Sequence, residues 1–126
     1  LDAFFGELAK SLDSAGVQLL AGSDSGAFNS YAYPGISLHK ELQAMVENGI
    51  SPLDALRTSS PNGAKFLSQT DDYGRISKGK VSDLVILDAN PLENIQNTQK
   101  IYSVIKGNQV FSKKQLQELL KNSVMD

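Results

Sequence analysis

Two apolar periods meet at a single glycine near the start of this chain, and that junction narrows its fold more than any other feature. Leu1, Phe4, Phe5, Leu8, Leu12 and Ala15 recur at spacings of mostly three and four, with Asp2, Glu7, Lys10 and Asp13 between them. That is the pattern of an amphipathic helix. Gly16 suits the left-handed position that ends one. Residues 17–21, Val-Gln-Leu-Leu-Ala, then form a nearly unbroken apolar run, as a strand covered on both faces does. Helix, glycine and buried strand read as one unit of a parallel α/β sheet.

The run opens into "AGSDSG", which places Asp24 between two serines and two glycines. Three residues past the expected strand, Asp24 stands at the carboxyl end, where α/β sheets and barrels keep their active sites. Gly22 and Gly26 permit tight backbone paths, and Ser23 and Ser25 can hydrogen-bond a carboxylate. The plain alternative is an acid that shapes a turn, since Asp and Ser are common there. Residues 22–35 carry Gly, Ser, Asn, Pro and two tyrosines without a period, a long loop of the kind that carries function. Tyr31 and Tyr33 can line a pocket or anchor the loop, and Asn29 and Ser30 can do either. His39 is the only histidine. It reads as a half-buried helix histidine bonded to a backbone carbonyl, or as a support group near the loop.

Three short helices are expected between Ser37 and Ser68. Ser37 can cap the first, Leu38, Leu42, Met45 and Val46 give it one apolar stripe, and Asn48-Gly49 stops it. Ser51-Pro52-Leu53-Asp54 sets a cap, a proline and an acid in the order a helix start favours, and Ser60-Pro61 repeats the first two. Past Thr70 the chain turns glycine-rich and then β-branched. Residues 84–87 read as a strand, and Gly107-Asn108 joins two more as a hairpin. A last helix runs from about Ser112 to Asn122. A boundary near residue 70 separates an α/β part, 1–70, from a mainly β part with a helical tail, 71–126.

With 126 residues the chain has room for one real core. A net charge of -2 leaves no electrostatic footprint for nucleic acid. The absence of cysteine excludes disulfides, zinc fingers and thiol catalysis. No apolar run approaches the roughly 20 residues of a membrane span. Phosphate loops, a GxSxG elbow and a dinucleotide fingerprint are missing. The expected setting is the cytoplasm, with no nucleic-acid or membrane partner.

Four stretches, "GVQLLAGSDSG", "PGISLHKELQAMVENGISPLDALRTSSPNGAKFL", "YGRISKGKVSDLVILDANPLENI" and "IYSVIKGNQVF", in this order, resemble the C-terminal third of the metal-dependent amidohydrolase superfamily. The branch they resemble most is that of the imidazolonepropionase- and prolidase-like enzymes. The resemblance implies a (β/α)₈ barrel whose eighth strand is 17–21. It also implies a small flanking β-sandwich, to which Arg75-Ile76, residues 84–87 and the 101–111 hairpin contribute. Asp24 matches the family's aspartate after strand eight, which binds the metal, takes a proton from bound water and delivers it to the leaving nitrogen. The implied cofactor is a divalent metal, zinc first among them, and the implied substrate is a small amide, cyclic amide or peptide-like compound. His39 lies in an "LHxEL"-like segment, with no fixed metal role implied.

A catalytic zinc takes about three protein ligands plus water, and the family draws most of them from earlier strands. This chain has one histidine and no HxH pair, and a barrel of this kind takes ~250 residues. The chain also begins without methionine, in the middle of a helical pattern. It is therefore expected to be the C-terminal part of a longer hydrolase, inactive and without tightly bound metal when isolated, with the preceding barrel as its missing partner. An isolated eighth strand has unpaired edges, so self-association is expected. The alternatives are a non-enzymatic α/β interaction module, a truncated product, or a fragment that complements a separate chain.

Overall fold

The computed structural model describes residues 2–25 and 32–123. Its helices are α1 (Asp2–Ser14), α2 (Ile36–Glu47), α3 (Pro52–Ser59), α4 (Pro61–Phe66) and α5 (Lys113–Ser123). Its strands are β1 (Leu84–Leu87), β2 (Ile101–Lys106) and β3 (Gln109–Ser112), with a 3₁₀ helix at Ile95–Gln99. The class is α/β with a small antiparallel sheet.

Two helices stop by the same device. Gly16, at φ 79°, lets the Val17 N–H reach the Leu12 carbonyl at 3.0 Å and its own N–H reach Asp13 at 2.9 Å. Gly49, at φ 90°, does the same for α2: Ile50 donates to Met45 at 3.1 Å and Gly49 to Val46 at 3.0 Å. Both are the paired closing bonds that left-handed glycine permits. The second delivers Ile50 straight into the core. That core joins Leu42, Met45, Ile50, Ala55 and Ile95, with Ala9, Leu19, Ala21, Val46 and Leu56 packed around them. Ile95 comes from the 3₁₀ helix, so the sheet-bearing half and the helical half share one apolar cluster.

The start of α2 departs from expectation. Its cap position is Gly35, without a side-chain cap bond, and Ser37 lies inside the helix, where its N–H donates to the Tyr33 carbonyl at 3.0 Å. Gly35 sits at φ 81°, so the chain turns into the helix two residues earlier than a serine cap would allow. At α3 the expected start is present: Ser51 Oγ accepts from the Asp54 N–H at 3.1 Å. Ser60 holds the corresponding place before α4 but its side chain makes no cap bond.

The strand expected at 17–21 forms no ladder among the described residues. Strands are held by neighbours, and no parallel neighbour lies beside this run. Helices hold it instead. The Ala21 N–H donates to the Thr58 carbonyl at 3.2 Å, and Asn62 Nδ2 donates to the Leu19 carbonyl at 2.9 Å. Strand-like alternation survives even so. Leu19, Ala21, Ser23 and Ser25 are half-buried, while Gln18, Leu20, Gly22 and Asp24 are exposed.

The sheet runs β1-β2-β3, all antiparallel, with Val85 opposite Val104 and Val104 opposite Phe111. The hairpin between β2 and β3 turns through Gly107 at φ 57°. Arg75 and Ile76, expected to contribute a strand, belong to no sheet, and Ile76 is 86 % exposed. Gly74 directs that segment instead: at φ 92° it packs against α4, so closely that a Cβ there would lie 2.7 Å from Ala64 Cβ. With a single sheet present, no second layer of a sandwich is formed among the described residues.

Candidate functional site

Asp24 ends the alternating segment in an uncommon conformation. Its φ is 47°, one of two non-glycine residues with positive φ among the described ones, the other being Ser68. Left-handed backbone costs an L-residue of order 1 kcal/mol, least for Asp and Asn, and such residues gather at functional sites. Asp24 is exposed, whereas Leu19 and Ala21 are half-buried. Among the described residues the carboxylate has no hydrogen bond and no ion pair. The two serines do not serve it: Ser23 Oγ and Ser25 Oγ bond each other at 2.9 Å.

Of the other residues singled out in the sequence, Asn29 and Tyr31 lie outside the described residues. Tyr33 is exposed and contributes its carbonyl to the first turn of α2. His39 is half-buried, and its Nδ1 lies 3.0 Å from Thr98 Oγ1. Its partner is thus a hydroxyl on the 3₁₀ helix, neither a backbone carbonyl nor a group of the Asp24 loop. Loss of hydration lowers its pKa below 6.5.

Two contributors carried no sequence signal. Thr98 pairs with His39 although 59 residues separate them. Asn62 fixes the backbone of the Asp24-bearing segment from α4. Both act through long-range contacts, which no local pattern records. An open cleft of about 880 Å³ lies between the helices and β1, walled by Leu38, Leu56, Leu67 and Leu84 with His39 and Arg75 among its polar lining. Asp24 is not part of it.

A metal is the natural companion for an isolated carboxylate, so the donor set bears on the chemistry. Among the described residues no three His, Cys, Asp or Glu side chains come together as a metal-holding group. Asp24 by itself offers one of the roughly three ligands a catalytic zinc takes. The described residues by themselves do not make up a metal centre.

The sequence model of the Amidohydrolase family matches residues 6–110. The chain belongs to this family. Ochratoxinase from Aspergillus niger is 31 % identical over 102 residues, a match covering 77 % of this chain and 20 % of the ochratoxinase. The fold is similar to that of molinate hydrolase, with a TM-score of 0.76 and 29 % identity over 83 % of this chain and 26 % of the hydrolase. It is also similar to a Xaa-Pro dipeptidase structure with bound methionine in the active site, at TM-score 0.75 and 29 % identity over 85 % of this chain and 25 % of that one. Phenylurea hydrolase B follows at TM-score 0.72 and 27 % identity, over 84 % and 26 % respectively. The amidohydrolase chain described here thus spans 20 % of the curated relative's length and about a quarter of these solved chains.

No helix among the described residues is long and apolar enough to cross a membrane.

Proposed function

We propose that this chain supplies one reacting carboxylate, Asp24, to a hydrolase that cleaves C–N bonds in amides, cyclic amides or peptide-like substrates. The observation that carries this reading is the strained, unpartnered Asp24 at the end of a strand-like segment whose other face is anchored on helices. Likeness to an ochratoxinase, a Xaa-Pro dipeptidase and a phenylurea hydrolase supports the reaction class.

Amide hydrolysis fails in water largely because the amine is a poor leaving group. It departs once its nitrogen gains a proton. A carboxylate without other partners can take a proton from the attacking water and return it to that nitrogen, a service worth typically ~10²–10⁴-fold in rate. Among the described residues no hydrogen bond engages the Asp24 carboxylate, which leaves both oxygens available for this. A divalent metal, zinc by preference, would polarise the carbonyl and acidify water in such a centre. Its remaining ligands would come from another portion of the protein, which would also be the partner this chain needs.

The test begins upstream. The coding sequence before the Leu1 codon is expected to encode an HxH pair and further histidines, and an unrelated gene there would overturn the reading. In the longer protein, Asp24→Asn should lower kcat by at least ~100-fold while the circular dichroism spectrum is unchanged. Retained turnover assigns the chemistry to another carboxylate.

A further inference from the structure

Two bonds along one edge hold residues 17–21 to the helices, and they differ in kind. The Ala21 N–H donates to the Thr58 carbonyl at 3.2 Å, a backbone group that any residue at that position supplies. Asn62 Nδ2 donates to the Leu19 carbonyl at 2.9 Å, which only a side chain with a donor at that reach can do. The carbonyl can only accept, so it is the amide nitrogen of Asn62 that faces it. Among the described residues no other side chain hydrogen-bonds the backbone of residues 17–24.

We propose that Asn62 is a positioning residue for the Asp24 carboxylate, its amide setting the direction in which the segment leaves the helices. This rests on Asp24 being the reacting group. Leu19 and Ala21 also pack against the core, but apolar contact is non-directional and lets a segment turn on its seat. One hydrogen bond makes a pivot; two, on alternate residues of one edge, fix a line. Beyond Ala21 no backbone bond among the described residues holds the chain as far as Asp24. Asp24 lies three residues past that pivot, about 10 Å at ~3.3 Å per residue. A turn of roughly 6° about Ala21 then carries the carboxylate about 1 Å, a displacement that costs on the order of 10²-fold in rate.

The corner that makes both bonds is itself braced. Thr58 is buried, and its hydroxyl donates to the carbonyl of the core residue Ala55 at 2.6 Å. On α4, Ala64 is buried two residues from Asn62, with Gly74 packed against it. Asn62 is half-buried, so water competes less for the Leu19 carbonyl than it does at an exposed site. Asp24 is exposed and makes no bond among the described residues that could correct a misplacement. Its place is therefore inherited from residues 19 and 21.

In the longer protein, Asn62→Asp exchanges the amide donor for an oxygen at nearly constant size, and Asn62→Ala removes it. Each should lower kcat by ~10-fold or more and leave KM within about twofold, because the donor sets where the carboxylate stands and not how substrate binds. Ser112→Ala is the stability control. Its hydroxyl bonds Gln115 at 2.8 Å at the start of α5, which packs against β2 and β3, so its loss should lower the Tm with kcat intact. A change confined to KM, a kcat loss equalled by Ser112→Ala, or a loss in Asn62→Asp that Asn62→Ala does not share overturns the proposal.

Asp24→Asn is measured beside them. If it abolishes turnover while both Asn62 variants keep theirs, Asn62 has no part in positioning and the reading of Asp24 stands. If it keeps turnover, the reading of Asp24 falls and the role of Asn62 falls with it. Should neither Asn62 variant fold, NMR of the unmutated 126-residue chain decides. The side-chain amide of Asn62 must then exchange its protons more slowly than that of the exposed Asn108, and equal rates overturn the proposal.

Discussion

A left-handed φ of 47° sets Asp24 apart from every other acid in the described chain. Glycine would occupy that φ without strain, although it costs more unfolded-chain entropy on folding. Asp24→Gly should therefore leave stability within ~1 kcal/mol of the unmutated chain, whereas Asp24→Val should lose ~1–2 kcal/mol because a β-branched residue resists αL. Chemical denaturation of the three chains checks both. A large loss in Asp24→Gly would mean that the carboxylate serves the fold. Ser51 offers a contrasting residue, whose role is purely local. Its hydroxyl accepts from Asp54 N–H and donates to the Asp54 carboxylate at 2.5 Å, and Arg57 adds an ion pair at 2.7 Å. Those two side chains, Ser51 first, lower the Asp54 pKa. The support they lend is present above the ordinary carboxylate pKa and is lost as pH falls through the folded one. Ser51→Ala should cost ~1 kcal/mol at neutral pH, and less in acid, where Asp54 is protonated. Thermal melts taken from pH 7 down through the acid limb measure the difference.

At the scale of elements, most local signals held, although neither Ser37 nor Ser60 makes the cap bond expected of it. The glycine stops of α1 and α2 and the cap of α3 each depend on residues within one turn of one another. So does the start of α5, where Gln115 Oε1 accepts from the Ser112 N–H at 2.9 Å and its own N–H reaches Ser112 Oγ at 3.4 Å, a reciprocal cap. Elements that need a distant partner behaved differently. Residues 17–21 have the composition of a strand, yet their backbone is served by Thr58 and Asn62. Arg75-Ile76 has no strand beside it, and Gly74 binds the segment to α4. Gly74→Ala tests that attachment: a Cβ at positive φ, 2.7 Å from Ala64 Cβ and 3.1 Å from Pro61 Cα, should cost at least ~1–2 kcal/mol. A smaller loss would show the turn to be free of α4. In the shared core, Leu42 is 3 % exposed, and Leu42→Ala should lose ~2–5 kcal/mol by transfer and cavity terms.

Across the whole molecule the apolar stripe of α1 is the main surprise. Phe4 and Phe5, their rings 5.5 Å apart and edge to face, are 63 % and 55 % exposed, and Leu8 and Leu12 are exposed with them. The rest of the molecule is met by Ala9, which reaches the core, by Gly6, too close to the Asn48 side chain for a Cβ, and by Lys10, which lies against Gly49. Leu20 is exposed as well. Exposed apolar surface on this scale favours association. We expect the chain to self-associate as its concentration rises, and sedimentation analysis should show Phe5→Ser shifting the population toward monomer. A concentration-independent monomer contradicts this.

The order of residues alone determined the helix periods, the glycine stops of α1 and α2, the Ser51 cap, the hairpin turn and the isolation of one acid between two serines and two glycines. These depend on contacts a few positions apart, and the chain carries both partners of each. Tertiary structure decided which side of α1 is covered, what holds 17–21, where His39 finds its partner and how the 3₁₀ helix enters the core. Those outcomes depend on which surfaces meet, and a periodic pattern records that a face is apolar without recording what lies against it.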